Sequence, residues 1–240
     1  MLRNTLLIAL GVGVAAVQIP RAHASVMVDA NASIDDAGNS PLQFGGNAPT
    51  AITLVSGASS VQFTDVTADR VTMDGTNFND PDGVGAAPAT STNTGTSTIS
   101  GITAPNAGYL VGVFVDGTVP SGTAPALLNF TSNGLGTSFA SLSPLLDQVF
   151  FIGDGLTGDG TGSVQTFDAP DGATTLYLGI ADACFFNGPP GCYDDNSGVF
   201  TLDVSQQTSQ QVTPAPEPAS MALLGTSLAG LGWLRRRKRG

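Results

Sequence analysis

Asp182, Asp194, Asp195 and Asn196 gather four oxygen-bearing side chains in one short stretch, between Ala181 and Ser197. Hard cations such as Ca²⁺ take six to eight oxygens, from carboxylates, amides and backbone carbonyls. The stretch also contains Gly188-Pro189-Pro190-Gly191, residue types that let a backbone turn its carbonyls inward. Carboxylates crowded together without a cation repel one another, so the composition points to calcium. A turn-rich hairpin whose Asp and Asn bond only their local backbone uses the same residue types. Spacing alone leaves both readings open. Cys184 and Cys192 are the only cysteines and lie inside the stretch. In an oxidising exterior they are expected to pair, closing a small loop and reducing its freedom when unfolded. A zinc site would need further His or Cys ligands, and a redox pair is normally spaced more closely.

Charge narrows the chemistry further. Between Ser25 and Thr213 the chain holds one basic residue, Arg70, against eighteen acidic residues, all Asp. Such a surface excludes nucleic acid as a partner, because phosphate neutralisation needs cationic side chains. Cations are its natural counterpart. The only histidine is His23, inside the expected leader, so the mature chain has no imidazole. That removes serine-hydrolase chemistry and most zinc chemistry. A glycoside hydrolase needs one carboxyl with a raised pKa, and nothing in the sequence marks one. The chain is expected not to be an enzyme.

The elements that must position this loop read as strands. Segments of alternating or β-branched character recur at Ala51–Val55, Ser60–Val66, Arg70–Met73, Tyr109–Val115, Val149–Ile152, Val164–Phe167, Thr175–Ile180 and Gly198–Val204. Clusters of Gly, Pro, Asn and Asp punctuate them. Helical spacing is weak and confined to Leu127–Leu146. With 31 glycines and 15 prolines in 240 residues, the fold class is all-β: a jelly-roll-like two-sheet β-sandwich, galactose-binding-domain-like. The loop carrying Asp182 to Asn196 would join two of its strands. Residues 80–100 read as an exposed loop. Gly153-Asp154-Gly155 and Gly158-Asp159-Gly160 resemble one fragment of a calcium-binding nonapeptide repeat. Such repeats need stacked copies, so a turn between strands is the expectation.

Domain organisation follows from the ends. Residues 1–24 read as a secretory signal peptide, with Arg3, an apolar run from Leu6 to Val17, and Ala22-His23-Ala24 as a small-residue cleavage site for signal peptidase before Ser25. Residues 25–205 form the domain, 206–213 a polar linker, and 214–240 a tail. The tail runs Pro216-Glu217-Pro218, then an uncharged segment from Ala219 to Leu234, then Arg235-Arg236-Arg237-Lys238-Arg239. Sixteen apolar or small residues are marginal for a bilayer core of about 30 Å, and the basic cluster would stay cytoplasmic. These three features resemble the PEP-CTERM sorting signal of Gram-negative bacteria. The resemblance implies recognition of Pro216, Glu217 and Pro218 by an exosortase-type processing enzyme. It further implies a transient inner-membrane anchor, followed by release to the outer surface or beyond.

A second resemblance covers Phe150–Val204. Its most specific part is the strand ending in Asp182, then a loop, then Tyr193-Asp194-Asp195-Asn196-Ser197-Gly198 and a closing strand. This is similar to the PA-IL (LecA-like) galactose-binding lectin domain. The resemblance implies a Ca²⁺ site formed by Asp182, Asp195, Asn196 and the main-chain oxygen of Cys192, with an earlier carbonyl ligand near Asn79. Asp182 and Asp195 would also accept bonds from the hydroxyls of a bound sugar. Asp195 stands where the lectins have Asn, the loop is longer and carries its own cysteine pair, and the lectins' galactose-gripping His and Gln have no counterpart. The resulting expectation is an exported, calcium-dependent carbohydrate-binding protein whose partner is carbohydrate or exopolysaccharide. The alternative is a structural matrix or surface protein in which calcium only stabilises a loop.

Overall fold

The computed structural model describes residues 21–85, 90–117, 119–120 and 122–209. Among them there is no α-helix, only strands and three single-turn 3₁₀ segments. The expected all-β sandwich is what the chain builds. One sheet has five strands in the order Arg21–Asp29, Ser197–Thr208, Ala58–Thr72, Thr166–Asp168, Ser141–Leu142. A second, wholly antiparallel sheet runs Thr50–Thr53, Thr175–Ile180, Leu110–Val115, Val149–Phe151. A third carries Asn187–Gly188, Ser91–Gly95, Ser100–Ala104 and Leu128–Asn129.

The core lies between the first two sheets. Phe150 of the second meets Phe167 of the first at 5.1 Å between ring centroids, and Phe167 meets Phe63 at 5.2 Å. Leu110–Val115 is buried at every position, as a central strand covered on both faces must be. Gly112 within it is required by close approach: a Cβ there would come within 2.7 Å of the Phe150 ring. Burying Phe63, Phe114, Phe150 and Phe167 contributes about 2 kcal/mol each before conformational entropy is set against it.

Four local differences from the sequence reading have physical causes. The expected strands at 60–66 and 70–73 are one strand, Ala58–Thr72. It is bent by an extra residue at Asp65 (φ 53°) and another at Arg70 (φ 55°), which lie at two of the three shifts in its register against Ser197–Thr208. Gly198 sits opposite the second bulge, where a Cβ would overlap the Arg70 carbonyl. The expected loop over 80–100 contains the strand Ser91–Gly95, whose alternate residues are buried; β-branched Thr and an internally bonded Asn93 suit that position. The last strand continues to Thr208, three residues into the expected linker. Gln206 is buried, and its side chain bonds Val55 and Thr53. Finally, the weak helical spacing over 127–146 forms only the two-residue strands Leu128–Asn129 and Ser141–Leu142.

The strand Arg21–Asp29 crosses the expected cleavage point. Ser25–Asp29, which cleavage would retain, pairs with Asp203 to Val199. Residues 1–20 of the expected leader, 210–213 of the linker and the whole sorting tail lie outside the described residues.

Candidate calcium and ligand site

Three segments far apart in sequence converge where the strand Thr175–Ile180 ends. The first is the turn Ile34–Asp36, tied to that strand by the Ser33–Ile180 bridge and by the Ile180 N–H donating to the Ala32 carbonyl. The second is Ser91–Gly95, which brings Asn93. The third is the loop 182–197 itself. Cys184 and Cys192 are disulfide-bonded, as expected. An Ala183–Pro190 bridge and the pairing of Asn187–Gly188 with Thr92–Asn93 fix the loop at two further points.

Tyr193 is the hub. Its ring is fully buried. Its hydroxyl donates to Asp35 Oδ2 at 2.6 Å and accepts from the Asp182 N–H at 3.0 Å. Asn93 Nδ2 donates both to Asp35 Oδ2 and to the Asp182 carbonyl, each at 2.8 Å. A neutral phenol and an amide thus position the backbone of Asp182. Desolvation by burial pushes the Asp35 carboxyl up to about 7, with the Asp36 charge adding to it, while the bonds from Tyr193 and Asn93 pull the other way.

Asp182 itself is nearly buried. Its Oδ1 accepts from the Ala183 N–H at 2.7 Å, and its Oδ2 accepts from Asn196 Nδ2 at 2.8 Å. Burial pushes its pKa up to about 6; the nearby Asp195 charge raises it too, and the two hydrogen bonds oppose. The Asn196 side chain is buried, and its carbonyl oxygen has no hydrogen-bond partner in the protein. An orphaned buried oxygen beside an electrostatically strained carboxylate is the chemistry a cation completes.

Asp182 and Asp195 border one pocket of about 400 Å³, together with Met73, Asp74, Phe185 and Cys192. That size lies within the ~300–1,000 Å³ of small-molecule pockets. The structure therefore brings together three of the side chains expected as ligands: Asp182 and Asp195 on the pocket, and Asn196 bonded to Asp182. The Cys192 carbonyl accepts from the Asp195 N–H at 3.4 Å, closing the turn Tyr193–Asp195. Asp194 is drawn away, accepting from the Gly46 N–H at 2.8 Å. Asn79 is not on the pocket; its amide donates to the Ala107 carbonyl.

Sequence reasoning missed Asp35, Asn93 and Asp74. The first two act through contacts across more than fifty residues, and no local pattern signals them. Asp74 sits just past the bulged strand, its carboxylate held low chiefly by the N–H groups of Asn77 and Thr76.

A second acidic region includes Asp80, Asp82, Asp154 and Asp159. Here the Gly-Asp-Gly motifs serve as turns, since Asp154 accepts from the N–H groups of Leu156 and Gly160. Among the described residues, no three His, Cys, Asp or Glu side chains stand close enough to hold a metal by themselves. A cation at Asp182 and Asp195 would thus need amide and carbonyl oxygens to complete its shell.

No curated protein and no solved structure matches the chain. The likeness of residues 150–204 to the PA-IL lectins accordingly has no support from a relative or a known fold. The PEP-CTERM protein-sorting motif matches residues 214–238. The end of this chain is thus a PEP-CTERM sorting motif, a C-terminal signal that supports export through an exosortase system.

Proposed function

We propose that the domain is a non-enzymatic, calcium-dependent carbohydrate-binding module, carried to the cell surface or beyond by its sorting tail. The observation that supports this most is the orphaned carbonyl oxygen of Asn196, whose amide nitrogen is bonded to the buried Asp182 beside Asp195. Asp182, Asp195, Asn196 and the Cys192 carbonyl would hold the ion. When bound, Ca²⁺ supplies coordination positions that sugar hydroxyls can fill in place of water. The chain's own residues do the rest. Tyr193 and Asn93 fix the Asp182 backbone, the disulfide limits the loop, and the Asp182 and Asp195 carboxylates accept bonds from vicinal hydroxyls. The acidic surface attracts cations and suits a neutral or calcium-bridged polysaccharide.

One observation favours the alternative, a structural matrix protein. Both Asp182 oxygens already accept bonds within the loop, as they would if an ion merely stiffened it. Calorimetric titration of the exported protein with galactosides and bacterial exopolysaccharide, with calcium and then with chelator, separates the two. Glycan heat that chelator abolishes supports the carbohydrate reading. Calcium heat with no glycan response supports the matrix reading.

A further inference from the structure

Phe185 is 96% exposed, while the next most exposed large apolar side chain among the described residues, Met27, reaches 65%. A single exposed apolar residue is ordinary on a protein surface. This one is not placed by accident of a loose loop. Its backbone lies in the left-handed region at φ 59°, followed by Phe186 at φ 60°, a conformation that bulky non-glycine residues rarely adopt. Such strain persists only where surrounding structure over-determines it. Here the Cys184–Cys192 bond precedes and closes the turn, and the Phe186 N–H donates to the Ala183 carbonyl at 2.7 Å. Asn187–Gly188 is paired to the strand Ser91–Gly95. Phe186 packs toward the core, and Phe185 is presented outward on the wall of the pocket that Asp182 and Asp195 also border.

The pocket lining is therefore of two chemical kinds: carboxylate acceptors from Asp74, Asp182 and Asp195, and apolar surface from Met73, Phe185 and Phe186. A pyranose ring has the matching pair of surfaces, with hydroxyls at its rim and a C–H face. A small anion gains nothing from an aromatic face, and a Ca²⁺ ion takes oxygen ligands instead. We infer that Phe185 is a specificity-determining platform on which the C–H face of a sugar ring lies while its hydroxyls meet the Asp182 and Asp195 side. The inference rests on the carbohydrate reading and adds the residue that selects for it.

The test uses the purified exported protein as wild type, Phe185→Ala and Phe185→Trp, titrated first with Ca²⁺ and then with galactosides and exopolysaccharide fragments. Phe185→Ala retains wild-type calcium affinity and loses about tenfold in glycan affinity, in line with the worth of one aromatic contact. Phe185→Trp retains glycan affinity, and its added indole emission shifts to the blue when sugar is present. Equal glycan affinity in wild type and Phe185→Ala overturns the platform and leaves the carbohydrate reading intact. A wild type that binds calcium but no glycan overturns both. Loss of self-association in Phe185→Ala, with glycan affinity unchanged, also overturns the platform and assigns Phe185 to a contact between copies.

Discussion

Asn196 donates its amide to Asp182 Oδ2 at 2.8 Å and leaves its own carbonyl oxygen buried without a partner. The pair joins the first and last thirds of a loop that is also held by its disulfide, the Ala183–Pro190 bridge and the pairing of Asn187–Gly188. It also couples the candidate site to the closing strand, since Asn196 immediately precedes Ser197–Thr208.

The Tyr193 hydroxyl is expected to be worth more than its two bonds. Tyr193→Phe leaves the buried Asp182 N–H without a partner and Asp35 Oδ2 with only its bond from Asn93. Each unsatisfied buried group costs about 1–3 kcal/mol. Chemical denaturation should show the variant less stable by an amount in that range or above. Stability equal to wild type would mean that the Asp35–Tyr193–Asp182 connection carries no load.

The Cys184–Cys192 bond closes a short loop, and loop-closure entropy for its sequence separation of 8 is worth about 2.5 kcal/mol. Replacing both cysteines with Ser should lower the denaturation midpoint accordingly. It should also weaken calcium binding, because Cys192 lies on the pocket and its turn holds Asp195. Unchanged calcium affinity in the double variant would separate the loop's covalent closure from the site.

The pH dependence of stability has a definite sign. Asp35 titrates at about 7 in the fold, mainly through burial, against about 3.9 in an unfolded chain. Between those values the folded state binds more protons than the unfolded state. The Asp35 contribution to stability therefore falls as pH rises from about 4 to about 7 and stays constant above that. Asp182, raised to about 6, acts in the same direction. Thermal unfolding in chelator should show wild type losing more stability over this window than Asp35→Asn. Parallel pH profiles for the two proteins would contradict the burial of an ionisable Asp35.

The sorting tail predicts a processing phenotype. Replacing Pro216-Glu217-Pro218 with Ala should leave the domain's fold unchanged and cause the unprocessed chain to accumulate with its tail. Mass spectrometry of the cell-associated and released fractions reads this directly. Normal release of a shortened chain would show that these three residues do not direct processing.

The all-β class was legible because strand residues alternate and turn residues punctuate them, and the disulfide because only one pairing exists. The loop 182–197 was legible as a unit for the same local reasons. Asp65 and Arg70 show where local reading stops: a bulge keeps one strand continuous through residues that look like a break. Asp35 shows the larger limit. Its role depends on Tyr193, 158 residues away, and long-range pairing of this kind leaves no periodic trace. Phe185 was equally silent, because exposure and a positive φ are properties of the folded loop, not of its composition.

The most direct measurement is calorimetric titration of Ca²⁺ into the exported wild-type protein and its Asp182→Ala variant. The wild type should bind with saturable heat. The variant should lose more than the 10–100-fold typical of removing a mere supporting partner of a metal ligand. Saturable binding that is identical in the two proteins, or no calcium heat in the wild type, would contradict the proposed site at Asp182, Asp195 and Asn196.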